Sequence, residues 1–355
     1  MTTVDNNYTN ILISNNPKGS IPYPPNIQAV YNETLSQAIL QDPSKYYCSI
    51  NRFTIPMNLI PIFSFPVNRD QNNANLSQLI IGIETALGVG LDSELIYLPQ
   101  NDIPPPVSGG ANISYEDSLS PYYFVYSIQH MIDIINNSLD DAYIASGVGG
   151  GKPFYIYNPT TKLISLIVTA GFLATGAKIY MNSYLQDYLQ GFSFRTKNYN
   201  TTGPYKFYHV LDSIPYGSPV GGPYEFKQER TSIPAWFDIS RVIVTSSSLP
   251  IANESTPNYN PNTSEGTNGT VTYNPIVTDF AVSYTDIDEY ASLLVLDPSP
   301  QYRLIDMNTQ LPVNRLNFNF QWVSKTGAIR PIYCSPGNCI TMKIAFLKRE
   351  LYIHK

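Results

Sequence analysis

The stretch at residues 316–323 reads Leu-Asn-Phe-Asn-Phe-Gln-Trp-Val, and its two-residue period constrains the fold more than any other feature of the chain. Leu316, Phe318, Phe320 and Trp322 share one face, with Asn317, Asn319 and Gln321 on the other, because successive side chains of a strand point to opposite sides. Each large apolar group contributes roughly 1.5–3 kcal/mol once buried, but a lone ribbon has nothing to bury it against. The segment must therefore sit in a sheet that faces a second layer. Residues 341–348 repeat the pattern, with Met342, Ile344 and Phe346 alternating with Thr341, Lys343 and Ala345. A chain that ends this way favours an all-β sandwich over an α/β enzyme.

Upstream, short runs rich in aromatic and β-branched residues predict strands at 46–54, 79–83, 94–98, 178–182, 205–211, 224–231, 239–246, 276–284 and 302–307. Residues 154–157 and 162–168 read as a hairpin around Asn158-Pro159-Thr160-Thr161. One convincing helix is expected, over residues 120–145. Its apolar stripe is Val125, Ile128, Ile132, Ile135 and Leu139, with Ser120 as N-cap, Pro121 at the first position and Gly147 as the stop. A short helical turn is expected at 184–190. Residues 1–30 show no period and carry Pro22, Pro24 and Pro25, which predicts an arm rather than a core element. The stretch 253–269, almost pure Asn, Pro, Ser, Thr and Gly, predicts an exposed loop. The expected packing residues are Phe53, Ile128, Ile132, Trp236, Phe318, Phe320, Trp322 and Phe346.

Charged residues make up only 14% of the chain, against the ~25% of an ordinary soluble domain. Tyr is frequent (28 residues), and a Tyr-rich, charge-poor surface suits extensive contact with other proteins. A bias toward codons for Asn, Ile, Lys and Tyr explains the Asn and Tyr excess equally well, but not the scarcity of Lys. A net charge of −6 with no local run of Lys and Arg argues against nucleic acid as the main ligand. The polar first ten residues predict no signal peptide, and no apolar run approaches the ~20 residues of a membrane span. Synthesis in the cytosol is expected, so that the Asn-x-Ser/Thr sites, such as Asn32, Asn75, Asn112 and Asn268, stay unmodified.

Nothing in the sequence assembles a catalytic or metal site, and no cofactor is expected. His130, His209 and His354 lie in unrelated contexts, and His130 falls beside the helix stripe with no ligand at metal spacing. The carboxylate groups Asp140-Asp141 and Asp286, Asp288 and Glu289 read as solvated faces, although an acid–base dyad of a hydrolase assembles only in the fold. The glycine run 147–153 lacks a phosphate loop's leading Gly and trailing Ser or Thr, because Ser146 and Pro153 stand there. It reads as a flexible linker. Cys334 and Cys339 flank a Ser-Pro-Gly-Asn turn; two free thiols are expected, with a hairpin disulfide formed after release from the cell as the alternative. Cys48 stands alone.

The succession of several blocks carries a resemblance. Residues 46–63 (Tyr-Tyr-Cys-Ser-Ile-Asn-Arg-Phe-Thr-Ile-Pro-Met-Asn-Leu-Ile-Pro-Ile-Phe) and 122–136 (Tyr-Tyr-Phe-Val-Tyr-Ser-Ile-Gln-His-Met-Ile-Asp-Ile-Ile-Asn) are followed by Leu249-Pro250 and Thr278-Asp279-Phe280. Then come residues 302–306, Gln321-Trp322 and residues 340–348. In that order they resemble the penton, or minor capsid, proteins of virophages and polinton-like viruses. The N-terminal arm and the 253–273 loop have no clear counterpart there. The resemblance implies a single jelly-roll sandwich built from residues 31–100 and 224–355, with 101–223 as an inserted mixed α+β upper domain holding one amphipathic helix. It also implies a homopentamer at the capsid vertex of the virion, with major capsid protein hexons as neighbours and a host or giant-virus surface receptor as an outer partner. A carbohydrate-binding, lectin-like sandwich is the alternative.

Overall fold

In the computed structural model, the Phe53 ring is stacked between Phe280 and Phe320, each at a centroid distance of 5.4 Å. These three rings come from different strands, and they show how two sheets of the molecule meet. The structure describes residues 7–15, 27–56, 59–66, 68–70, 73–96, 122–125, 127–197, 205–212, 215, 217–251, 255–257, 273–282, 293–296, 304–325, 327, 329–334 and 337–351.

The chain begins with β1 (Asn7–Ser14), β2 (Ile27–Gln28), β3 (Val30–Thr34) and β4 (Tyr46–Pro56). There follow β5 (Phe63–Pro66), β6 (Asn68–Asp70), β7 (Asn73–Glu84), β8 (Gly90–Ile96), β9 (Tyr122–Val125) and α1 (Ile128–Ser146). Next come β10 (Phe154–Asn158), β11 (Leu163–Val168), α2 (Ala170–Ala174), β12 (Lys178–Met181), α3 (Ser183–Tyr188), β13 (Phe194–Lys197) and β14 (Lys206–His209). Then β15 (Tyr224–Lys227), α4 (Ile233–Trp236), β16 (Ile239–Thr245), β17 (Ser255–Pro257) and β18 (Tyr273–Ala281) lead into the last third. The remaining strands are β19 (Leu293–Leu296), β20 (Ile305–Asp306), β21 (Arg315–Ser324), β22 (Ile329–Pro331), β23 (Tyr333–Cys334) and β24 (Cys339–Lys348). The protein is thus mostly β.

Two units divide the chain. Unit 1 holds Met1–Ile60, Ile103–Ser114 and Asp238–Lys355; unit 2 holds Pro61–Asp102 and Tyr115–Phe237. This differs from the expected division, because residues 61–96 and 224–237 group with unit 2 and not with unit 1. Trp236 moves with them. It is buried in unit 2, where its indole N–H donates to the Tyr188 carbonyl.

Unit 1 contains one sheet in the order β1-β24-β4-β19, with β20 also on β4, and another in the order β17-β18-β16-β21-β22, with β3 also on β21. All these pairings are antiparallel. Phe318, Phe320 and Trp322 are buried as their period requires, but Gln321 and Val323 are buried too, so this end of β21 is covered on both faces. A β-bulge in β4 explains why its apolar residues do not alternate. Ile344 pairs with Ile50 and Lys343 with Arg52, leaving Asn51 as the extra residue. The slip puts Cys48, Ile50 and Phe53 on one face, opposite Phe346, Ile344 and Met342.

The expected N-terminal arm is corrected in part. Residues 7–14 form β1, paired along its whole length with β24, and Ile11 and Ile13 are buried while Leu12 is exposed. The two-residue period is present here, but it is short and diluted by Asn and Thr.

In unit 2, α1 packs on β7, β8 and β10. Ile128, Met131, Ile132, Ile135, Leu139 and Ala142 are buried at spacings of three and four. The helix starts at Ile128 and not near Ser120. Ser127 is the N-cap, its hydroxyl accepting from the His130 N–H at 3.2 Å, and Val125 belongs to β9. Ser120 and Pro121 lie outside the described residues. Gly147 closes α1 as expected, and among the described residues three shorter helices accompany it in unit 2. The Asn136 amide ties α1 to β10, donating to the Tyr155 carbonyl at 2.8 Å and accepting from the Tyr155 N–H at 2.7 Å. The expected hairpin β10–β11 is present, and β15 extends it to three strands. The glycine run after α1 is packed and not a free linker. Gly150 has a φ of 90°, and a Cβ there would meet the Gly171 carbonyl carbon at 2.2 Å.

Candidate functional site: a charged face and cavity in unit 2

The second large sheet of unit 2 runs β13-β14-β12-β7-β6, with β8 also on β7. Ile81, Ile83, Leu95, Ile179 and Met181 are buried along its strands. Cross-strand register places the polar residues together on one face. Arg195 is opposite Tyr208, Tyr208 opposite Tyr180, Tyr180 opposite Gly82, and Lys178 opposite Glu84. Lys197 and Lys206 form a further pair on it. In a chain poor in Lys and Arg, this is a concentrated group of cations.

Gly82 makes room for the Tyr180 ring, since a Cβ there would sit 2.5 Å from Tyr180 Cζ. The Lys206 ammonium lies 3.8 Å from the centroid of the same ring, a cation–π contact. Glu84 is only 6% exposed. Its carboxylate accepts from the Tyr208 hydroxyl at 2.6 Å and from Lys197 Nζ at 3.3 Å. Burial by itself would raise this carboxyl, but the Tyr208 hydrogen bond and then Lys197 outweigh burial and hold it below the usual carboxylate range. Burial, then the Glu84 carboxylate, push the Tyr208 hydroxyl up.

Beside this face opens a cavity of about 790 Å³. Ala170, Leu173 and Ala174 of α2 form an aliphatic wall, and Glu84, Lys178 and Lys197 contribute the charged one. Arg195 and Asp212, ion-paired with each other, also line it. His209 backs this cavity and a second hollow of about 630 Å³. Its Nε2 shares a hydrogen bond of 2.7 Å with the Tyr155 hydroxyl, and the Phe192 and Phe194 rings enclose it. Burial lowers its pKa to about 3, so the imidazole is neutral at ordinary pH.

Phe53, Phe318, Phe320, Trp322 and Phe346 are buried in unit 1 and Ile128, Ile132 and Trp236 in unit 2. Of these, the structure brings Phe53 and Phe320 into direct stacking. None of the eight lines the charged cavity, whose residues sequence reasoning missed. The available signal was a two-residue spacing in three short strands, from cation to ring in two of them, Lys178 with Tyr180 and Lys206 with Tyr208, and from cation to cation in the third, Arg195 with Lys197. His130 is buried on α1, and Asp140 is ion-paired with Lys152 at 2.5 Å while Asp141 is exposed. Asp286, Asp288, Glu289, His354 and most of the 253–273 loop lie outside the described residues. Cys334 and Cys339 are free thiols, both pushed up by burial, and the Cys334 thiol donates to the Asn338 carbonyl at 3.3 Å. Cys48 is buried and pushed up to about 12. Among the described residues no group of three or more His, Cys, Asp or Glu converges, and no helix is long and apolar enough to cross a membrane.

Comparison with known proteins bears on the whole chain. The sequence profile described as Sputnik minor capsid protein V18/19 matches residues 7–348. Structural protein V19 of Sputnik virophage is 28% identical over 211 residues, covering 56% of this chain and 94% of that protein. Uncharacterized protein V18 of the same virophage is 29% identical over 146 residues, covering 38% of this chain and 86% of that protein. Among solved structures, a chain of the Sputnik virophage determined by cryo-EM superposes with a TM-score of 0.72 at 26% identity, covering 99% of both chains. The crystal structure of the mavirus penton protein shares the fold, with a TM-score of 0.63 at 17% identity, covering 96% of this chain and 99% of that one. The match across nearly the entire length, together with the β-rich fold, makes this chain a member of the Sputnik minor capsid protein V18/19 family, structural proteins of the virophage capsid and not enzymes.

Proposed function

We infer that the protein is a homopentameric penton closing the five-fold vertices of an icosahedral virophage capsid. The observation that carries this reading is the family match over residues 7–348. Unit 1 is the single jelly-roll body, and unit 2 is the inserted domain. Identical subunits joined head to tail through a heterologous interface close into a ring when the rotation permits. The edge strand β1 supports such contact, because Tyr8 and Leu12 on it are 51% and 60% exposed. The protein is synthesised in the host cytoplasm and takes its place beside major capsid protein hexons, which the first residues of the chain reach. A host or giant-virus surface receptor is its outer partner. A carbohydrate-binding role is favoured by one observation, the charged cavity of unit 2, and does not compete with assembly.

Native mass measurement of the full chain, alone and mixed with the major capsid protein, tests the assembly. A pentamer in either condition supports it, and a monomer in both sinks it. Deleting residues 1–6 leaves β1 in place, so unchanged vertex occupancy after that deletion would remove the role given to the first residues.

A further inference from the structure

The cavity of unit 2 has features that a structural role does not require. Its volume, about 790 Å³, lies within the range of small-molecule sites. Part of its lining is aliphatic, from Ala170, Leu173 and Ala174, and part is charged, from Glu84, Lys178 and Lys197. Glu84 is already engaged by Tyr208 and Lys197, and Arg195 is paired with Asp212. Lys178 has no ion pair among the described residues and is exposed on the cavity rim, so the local surplus is one positive charge. A carboxylate offers about four lone-pair sites. Glu84 therefore retains capacity to accept from a ligand hydroxyl while holding its two donors.

We propose that this cavity binds an acidic saccharide, a sugar bearing a carboxylate. The C–H face of the ring lies on the α2 wall, the hydroxyls meet Glu84 and Lys197, and the carboxylate pairs with Lys178. A small inorganic anion leaves the aliphatic wall unused, and a neutral sugar leaves the surplus charge unanswered. The biological meaning of such binding rests on the surface-receptor role proposed above, but the binding itself does not.

Saturation-transfer NMR and calorimetry on the full chain test the proposal, with N-acetylneuraminic acid and glucuronic acid as probes and glucose and acetate as controls. Saturable binding of at least one acidic sugar is expected, with glucose and acetate at least ~10-fold weaker. Lys178→Gln removes the charge, and Ala174→Trp fills the cavity from an exposed position; each should weaken binding at least ~10-fold. No saturable binding of either acid, acetate matching the sugars, or unchanged affinity in both variants would overturn the proposal. Native mass measurement of the same samples separates the two readings. Pentamers that bind no sugar sink this inference alone, and sugar-binding chains that stay monomeric both alone and with the major capsid protein sink the pentamer alone.

Discussion

In unit 1 the two large sheets meet through rings, with Phe53 sandwiched by Phe280 and Phe320, and through the aliphatic row Cys48, Ile50, Ile344 and Met342 on β4 and β24. In unit 2 buried ionisable groups are part of the architecture: His209 bonded to Tyr155, and Glu84 bonded to Tyr208 and Lys197. Apolar burial is non-directional and indifferent to pH. A buried polar network stabilises only while every member keeps its partner and its protonation state. The difference teaches that one chain can hold a unit whose sheets meet through rings and aliphatic groups and another whose interior includes a pH-sensitive polar network.

The comparison is most exposed to acid. The imidazole of His209 is lowered from 6.5 to about 3 in the fold. The unfolded chain therefore binds the proton first, and stability that is complete above pH 6.5 drains away as pH falls toward 3. This amounts to at most about 5 kcal/mol, all of it from unit 2. Glu84, held below its usual 4.5, adds loss in the same direction as the pH falls through its folded value. Hydrogen exchange resolved by residue between pH 7 and 4 should show unit 2 losing protection first, and His209→Gln should flatten the slope. Equal loss in both units would break the contrast.

Truncating Phe53 to Ala should cost roughly 3–5 kcal/mol, because it removes both stacks and leaves a cavity between the sheets. Denaturant unfolding at pH 7 and at pH 5 should give the same decrement; a decrement that depends on pH would mean that unit 1 is not purely apolar in its stability. Asn136→Ala is expected to cost about 1–3 kcal/mol, since it leaves the Tyr155 N–H and carbonyl without their side-chain partner. Its effect should appear as faster exchange along β10 and not in unit 1. The smallest effect belongs to the surface. The Lys343 ammonium lies 4.9 Å from the Tyr8 ring, and Lys343→Ala should lower the melting free energy by only about 0.5–1 kcal/mol.

Local pattern made much of unit 1 legible. The alternation in β21 and the apolar Met342, Ile344 and Phe346 of β24 identified strands of a sandwich before any coordinates, because burial on one face of a pleated ribbon must repeat every two residues. Where the chain departs from that geometry, pattern fails for a physical reason. The bulge at Asn51 hid the shared face of Ile50 and Phe53, and the short period of β1 was lost among Asn and Thr. The start of α1 was misplaced because Val125 continues the helical stripe in sequence while β9 claims it by pairing with β5.

By itself the sequence determined that the chain is rich in short strands, some of them two-faced, that one helix carries an apolar stripe stopped at Gly147, and that no local motif points to catalysis. Local periodicity and turn chemistry require only neighbouring residues. Tertiary structure alone decided that residues 61–96 and 224–237 belong with unit 2, and that Lys178, Arg195, Lys197 and Glu84 line one cavity. Those residues lie on three strands far apart in the chain, and their proximity is a matter of sheet order and register, which no local stretch encodes.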